Sequence, residues 1–237
     1  MSAGLAPINS TSAPRPLGAG RSGAILDAAE RVFAQAGFKG ATMREIARDA
    51  GVAQGLIHYH YVNKATLFEA VVARRSTRIN EYRAALLDRM FAPGRDARLC
   101  DVVEALFRPT IETGIELASD GGAFARILVS MANSADPTDQ ALAERYYDPI
   151  ARRFIDALRR VEPGLGHEDA VWAYMFAIGV GMTMMAKTGR PARLSGGACD
   201  DGDVDAMLEK IVPFICGGIT ALTRKTEEKT GQTGRMK

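Results

Sequence analysis

Residues 42–68, TMREIARDAGVAQGLIHYHYVNKATLF, constrain this chain more than any other stretch. Thr42 and Glu45 form a T-x-x-E capping box, in which each side chain satisfies a backbone N–H left free by the first helical turn. That fixes a helix start at Thr42, and Met43, Ile46 and Ala47 give the helix an apolar face. Gly51 ends it after Ala50, because glycine enters the left-handed region without a steric cost. A second short helix follows over Ala53–Tyr61, and Asn63 caps another that begins near Lys64. Two helices joined by a turn of about three residues make a helix-turn-helix. Ala47 is small enough for the helices to cross closely, and Val52 and Ile57 fill the space between them. What remains on the third helix is polar or aromatic: Gln54, His58, Tyr59 and His60.

That residue set suits a DNA major groove, where each base pair shows its own donor and acceptor pattern. Gln54 can bond adenine at two points, and Arg44 can reach guanine or phosphate. Lys64 and the free N–H groups that start its helix suit a phosphate. An amphipathic helix precedes the motif over about 21–36, with Ile25, Ala28, Ala29, Val32 and Phe33 on one face and Gly37 as its stop. The charge is divided accordingly. The whole chain carries only +2, but residues 1–90 hold 12 Lys and Arg against 7 Asp and Glu, while residues 91–237 hold 18 against 21. A basic third on a mildly acidic remainder suggests two jobs on one chain. Arg15 and Arg21, ahead of the first helix, are placed either to enter a minor groove or to stay in solvent.

Helical periodicity continues to the far end. It predicts a long helix from Lys64 towards Met90, then helices near 97–118, 122–134, 137–161, 167–188 and 203–226. Pro109, Pro149 and Pro213 fall inside three of these spans, and each marks either a kink or a true break. The class is therefore all-α. The expected parts are a disordered arm over 1–20, a three-helix domain over 21–68, a larger helical bundle over 69–226 and a disordered tail over 227–237. The Ser/Ala/Gly/Pro-rich arm has no apolar core, so it is no secretory signal. The uncharged run Ala170–Ala186 falls short of a membrane span and reads as a buried helix. Cys100, Cys199 and Cys216 are widely spaced and give neither a disulfide framework nor a metal clip, which points to the cytoplasm.

The stretch 21–70 resembles the TetR family of bacterial transcriptional regulators. The residues that carry the likeness are Ile25-Leu26-Asp27-Ala28-Ala29, Phe33, Gly37-Phe38, Thr42, Ile46-Ala47, Ala50-Gly51-Val52, Gly55, Ile57-His58-Tyr59-His60-Tyr61 and Asn63-Lys64. The resemblance implies a DNA-binding head on a helical ligand-binding and dimerisation domain. It implies a homodimer on a palindromic operator in double-stranded DNA, released by a small-molecule effector. Carried over by position, Thr42, Arg44, Gln54, Gly55, Leu56, His58, Tyr59, His60 and Lys64 are the expected DNA contacts. Leu56 stands where members often carry Thr, which removes a hydroxyl and leaves an apolar contact to a thymine methyl. His58-Tyr59-His60-Tyr61 stands where Tyr-His-Tyr-Phe is commoner, so the ring that meets phosphate stays open.

The larger domain offers less. Tyr146, Tyr147, Trp172, Met175 and Phe176 gather aromatic and soft side chains that suit a ligand pocket or a plain core. The spacing of Trp172, Met175, Phe176 and Val180 resembles TetR-type regulators of fatty-acid metabolism, which implies an acyl or aromatic apolar effector. Arg126, in the apolar run Ala123–Met131, faces either an acidic ligand group or solvent. Met175, Ile178, Gly179 and Met182, with Val212, Ile215, Gly218, Ile219 and Leu222, are the expected homodimer surface.

Enzyme signals fail on spacing. Asp200, Asp201, Asp203 and Asp205 lack the Glu an EF-hand needs at its twelfth position. His167-Glu168 is not H-E-x-x-H, and His58 and His60 share no helix face. Gly164-Leu165-Gly166 and Gly179-Val180-Gly181 lack a third glycine and a preceding strand. The reading is a non-enzymatic, cytoplasmic regulator, a repressor by expectation, with no cofactor, no metal and no membrane partner. Two rivals fit the same residues: an all-α ligand-binding or enzymatic bundle with an incidental helix-turn-helix, and a constitutive DNA-organising protein without an effector.

Overall fold

The computed structural model describes residues 19–116, 123–185 and 188–233. Their regular structure is entirely helical: α1 (Ala19–Gly40), α2 (Met43–Asp49), α3 (Gln54–His60), α4 (Lys64–Met90), α5 (Leu99–Glu116), α6 (Ala123–Ala132), α7 (Pro137–Tyr146), α8 (Asp148–Val161), α9 (His167–Met185), α10 (Arg190–Leu194) and α11 (Val204–Thr233). The arm over 1–18, Arg15 with it, and residues 234–237 lie outside the described residues.

The local signals act where the residues placed them. Gly37 sits at φ 68°, so α1 breaks there before its last turn. The Thr42 side chain accepts from the Glu45 N–H, and Glu45 returns a bond to the Thr42 N–H at 3.0 Å. Asn63 caps α4 by accepting from the Thr66 N–H at 2.9 Å.

Three boundaries differ from expectation, and two of the three internal prolines break no helix. The span 137–161 is two helices, because Tyr147 leaves helical geometry and Pro149 starts α8 where a first-turn proline costs nothing. Pro109 and Pro213 sit inside unbroken helices. Pro213 is exposed, so water can satisfy the carbonyl it leaves free. The loop after α9 contains the short helix α10. Finally, α11 runs to Thr233, past the expected end at 226, because the Arg, Lys and Glu of residues 224–229 favour helix.

Two buried clusters organise the chain. One joins Ile25, Phe33, Ile46, Ile57, Leu67 and Val71 of α1–α4 to Phe124, Ile127, Leu128 and Met131 of α6 and Leu142 of α7. The head's core thus continues into α6 and α7 of the larger part. The other cluster packs α5, α8, α9 and α11 around Phe107, Phe154, Ala173 and Ile215. Length and apolar composition would let Val204–Thr223 of α11 cross a membrane, but 44% of that window is buried in this bundle.

The dimer stripe expected from sequence is only half outward. Val212, Ile215 and Ile219 are buried in the subunit's own core, while Ile178 and Met182 are partly buried against it. Both α9 and α11 are apolar on more than one face, so periodicity alone did not say which stripe turns inward. The outward face carries Trp172, Met175, Phe176 and Phe214, each at least 52% exposed, beside exposed Gly179, Gly217 and Gly218.

Gly181 is where α9 yields to Phe107 of α5: a Cβ there would collide with that buried ring. Gly181→Ala is expected to destabilise the fold by about 1–3 kcal/mol through overpacking. Gly179→Ala, whose Cβ meets nothing within the subunit, should destabilise the subunit's own packing far less. Thermal melts of the two variants check the contrast.

Candidate nucleic-acid interface

α2 and α3 present one exposed surface on a fully packed base. Ile46, Ala47 and Ile57 are buried beneath it. The turn between them uses Gly51 at φ 63°, and the Val52 N–H closes it on the Ala47 carbonyl at 3.0 Å. Because Ile57 points inward, Gln54, Gly55, His58 and Tyr59 face solvent, while Leu56 and His60 are half-buried at the margins. The Gln54 amide nitrogen lies 3.3 Å from His58 Nε2, one turn along the helix. The Tyr59 and His60 rings meet edge to face, with centroids 4.8 Å apart. Arg44 is exposed on the first turn of α2 and makes no ion pair among the described residues.

Two of the expected contacts are already engaged. The Thr42 hydroxyl donates to Glu45 Oε2 at 2.7 Å, and that bond holds the Glu45 carboxyl below its ordinary range. Lys64 is half-buried: Nζ donates to the Ala41 carbonyl at 2.8 Å and to that of Lys39 at 3.3 Å, and lies 4.8 Å from the centre of the Phe38 ring. Its ammonium ties the start of α4 to the link between α1 and α2, so two of its three N–H groups are used within the fold. Sequence spacing does not report that bond, because it joins residues more than twenty positions apart.

A buried ion pair joins α1 of the head to α4. Arg75 of α4 donates from Nε to Glu30 Oε2 at 2.6 Å and from Nη2 to Oε1 at 2.8 Å. Arg74 adds a bond to Glu30 Oε2 at 3.2 Å and an ion pair with Asp27 at 2.8 Å. Sequence reading assigned this pairing to none of the four residues. A Glu among the apolar positions of α1, at residue 30 beside Ala28 and Ala29, was the available signal.

The comparisons with known proteins agree with this geometry. Residues 25–71 match the family model described as bacterial regulatory proteins, tetR family, and residues 104–218 match the tetracyclin repressor-like C-terminal domain. The chain belongs to the TetR family. Among its relatives, the HTH-type transcriptional repressor BepR of Brucella suis biovar 1 (strain 1330) is 43% identical over 51 residues, 22% of this chain and 24% of that protein. The HTH-type transcriptional regulator AcrR of Shigella flexneri is 39% identical over 57 residues, 24% of this chain and 26% of that protein. The match therefore spans about a quarter of those relatives. Over the whole fold, the fatty acid degradation regulator FadR from Bacillus halodurans superposes with a TM-score of 0.60 at 18% identity, covering 86% of this chain and 98% of that one. FadR from Bacillus subtilis, solved in complex with stearoyl-CoA, gives 0.58 at 18% identity, covering 82% and 97%. At such identity these two show the fold alone.

In this TetR-family chain the six expected ligand residues are not gathered at one cavity. Trp172, Met175 and Phe176 stand on the outer face of α9, the first and last stacked with centroids 5.7 Å apart. Arg126 is half-buried and not free. Tyr146 lines a cleft of about 350 Å³ with Asn80, Arg145 and Arg153. Tyr147 points inward, its hydroxyl 2.8 Å from Ser76 Oγ, and burial raises its pKa well above the ordinary value. Beside it lies a group that sequence reading overlooked. Arg83 of α4 is buried, donates to the Leu106 carbonyl at 3.0 and 2.7 Å and to Thr110 Oγ1 at 2.8 Å, and has no carboxylate partner among the described residues. Desolvation pulls its pKa down. The acidic loop bonds itself: Asp201 accepts from the Gly189 N–H, Asp200 from that of Gly202 and Asp203 from that of Ala206.

If the Glu30–Arg75 pair holds the head, Arg75→Met should destabilise the fold by about 2–4 kcal/mol, since it leaves the buried Glu30 carboxylate only its longer bond to Arg74. Joining Glu30→Leu to Arg75→Met should restore much of that loss. Urea unfolding measures both, and a single variant losing under about 1 kcal/mol would contradict the assignment.

Proposed function

We propose that this chain is a cytoplasmic, ligand-responsive transcriptional regulator, acting as a repressor, that binds a palindromic operator as a twofold homodimer. The observation that carries the reading is α3: seven residues on a packed base, with Gln54, Gly55, His58 and Tyr59 bared together. In that reading α3 enters the major groove. Gln54, held by His58, reads an adenine, and Leu56 meets a thymine methyl. Arg44 reads guanine or meets phosphate, while Tyr59, His60 and the Thr42 end of α2 lie against the backbone. Named relatives such as BepR are repressors, which supports the direction of control.

The homodimer rests on the outward face of α9 and α11. A lone subunit would leave Trp172, Phe176 and Phe214 in water, and the exposed glycines beside them let a second copy approach closely. The effector is an apolar molecule with an acidic group. Support comes from Arg83, a buried cation facing only neutral partners, for which a ligand anion would supply the missing charge. The fold-level neighbour from Bacillus subtilis binds stearoyl-CoA, an acyl compound with an anionic carrier. The effector would bind the spread dimer better than the DNA-competent one, so operator DNA must in turn weaken effector binding.

Gel shift against the chain's own upstream intergenic DNA tests the proposal, and the absence of a specific, salt-sensitive shift would sink it. Addition of acyl-CoA or long-chain carboxylates should release that DNA, whereas matched alcohols should not. Gln54→Ala is expected to lose about 1–3 kcal/mol at one base pair and relax specificity there. Lys64→Ala should weaken binding on every sequence. A salt slope reduced by about 1 would mark a direct phosphate contact, and an unchanged slope would leave the lysine its internal bonds alone. Phe214→Glu should yield a monomeric mass by sedimentation at micromolar concentration.

A further inference from the structure

Spacing kept the three cysteines apart, but the fold brings two of them together. Cys100 stands in the first turn of α5 and Cys216 lies midway along α11, 116 positions later, yet their sulfurs are 2.6 Å apart. The two helices are close neighbours over much of their length. Cys100 is exposed, Cys216 is buried, and Cys199 is exposed on the loop before α11. One cysteine is thus exposed while its neighbour is buried, and their sulfurs meet at a part-buried contact. No group of three His, Cys, Asp or Glu that could hold a metal gathers among the described residues.

We propose that Cys100 and Cys216 are an oxidisable dithiol, which hydroperoxides convert to an intrachain disulfide joining α5 to α11. The steps balance. Cys100, as thiolate, attacks the outer oxygen of the peroxide; the O–O bond breaks, Cys100 becomes a sulfenic acid, and the alkoxide leaves with a proton as alcohol. The Cys216 sulfur then attacks the Cys100 sulfur. An S–S bond forms, the S–O bond breaks, and hydroxide departs with the Cys216 proton as water. Two thiols lose two electrons to one peroxide bond. Burial, the neighbouring sulfur and the Glu162 carboxylate push the Cys216 thiol up, so it gives up its proton only as its sulfur attacks and hydroxide departs. Closing the bond requires the sulfurs to approach by only roughly 0.5 Å, given a disulfide length of about 2.05 Å.

The position makes the bridge consequential. It closes a loop that contains nearly half the chain, so it constrains the unfolded state heavily. It also fixes α11, whose outer face carries Phe214, against α5, which packs on α4.

The test oxidises the full chain with stoichiometric hydrogen peroxide. Denatured thiol titration should fall from three thiols to one, with a mass loss of roughly 2 Da and a cross-linked peptide containing Cys100 and Cys216. The melting temperature should rise by roughly 10 °C and return after dithiothreitol. Cys199→Ser should behave as the parent chain does. In Cys216→Ser, Cys100 should stop at a sulfenic acid that a 1,3-diketone traps. Should the buried Cys216 variant fail to fold, Cys100→Ser, changed at an exposed site, should keep both remaining thiols after the same treatment. Retention of three thiols in the parent chain, a bridge through Cys199, or over-oxidation of Cys100 with Cys216 still free would overturn the proposal.

Discussion

Glu30 and Arg75 meet where water does not reach, and the attitude of the whole head depends on that meeting. Taking a carboxylate and a guanidinium out of solvent costs several kcal/mol per ion, which only a close bidentate geometry offsets. The geometry present, two N–H donors of one guanidinium on two oxygens of one carboxylate, allows little rotation of α1 about α4. An apolar contact in the same place would tolerate sliding, since hydrophobic attraction has no direction. α1 also packs on α6, so it is clamped from two sides. With α1 fixed, α2 and α3 follow, because Phe33, Ile46 and Ile57 share one core.

The head was the legible part of the sequence, for a physical reason. Its determinants are local: a capping box spans four residues, a glycine turn one, an N-cap asparagine four. Such signals are written between near neighbours, and no tertiary contact is required to read them. The exposed set on α3 was legible too, because a helix of seven residues has room for only one inward stripe and Ile57 occupies it. Lys64 was half legible. Its place at the start of α4 was clear, but its bonds to the Ala41 and Lys39 carbonyls depend on where α1 ends in space.

The larger domain was legible only in outline. On α11 both the stripe Val212, Ile215, Ile219 and the stripe Phe214, Gly217, Gly218 are apolar enough to be buried, and only packing against α5 and α9 chooses between them. Trp172 and Phe176 illustrate the same ambiguity. Large aromatics at helical spacing suggested an interior, yet they lie outside, at the surface a second copy would cover. Arg83 and the Cys100–Cys216 pair were invisible for a different reason. A lone charge on a long helix and two cysteines more than a hundred residues apart acquire meaning only from what the fold sets beside them.

α4 is the element through which these parts are joined. Ser76, Asn80 and Arg83 fall at i, i+4 and i+7, so they form one stripe, and it faces Tyr147 and the Leu106 turn of α5. Arg75 starts the adjoining stripe and faces α1. A helix of 27 residues is about 40 Å long and stiff over that length. In the proposed regulator, an anion arriving at Arg83 would re-seat the polar stripe and so tilt or rotate the rod that carries Arg75. The rigid bidentate pair then passes that motion to α1 instead of absorbing it. Within a twofold dimer the two rods move symmetrically, so a small tilt at the bundle becomes a change in the separation of two α3 helices. In the proposed regulator, a looser joint at Glu30 would let the bundle bind an effector without informing the head, and the bidentate pair is what prevents that.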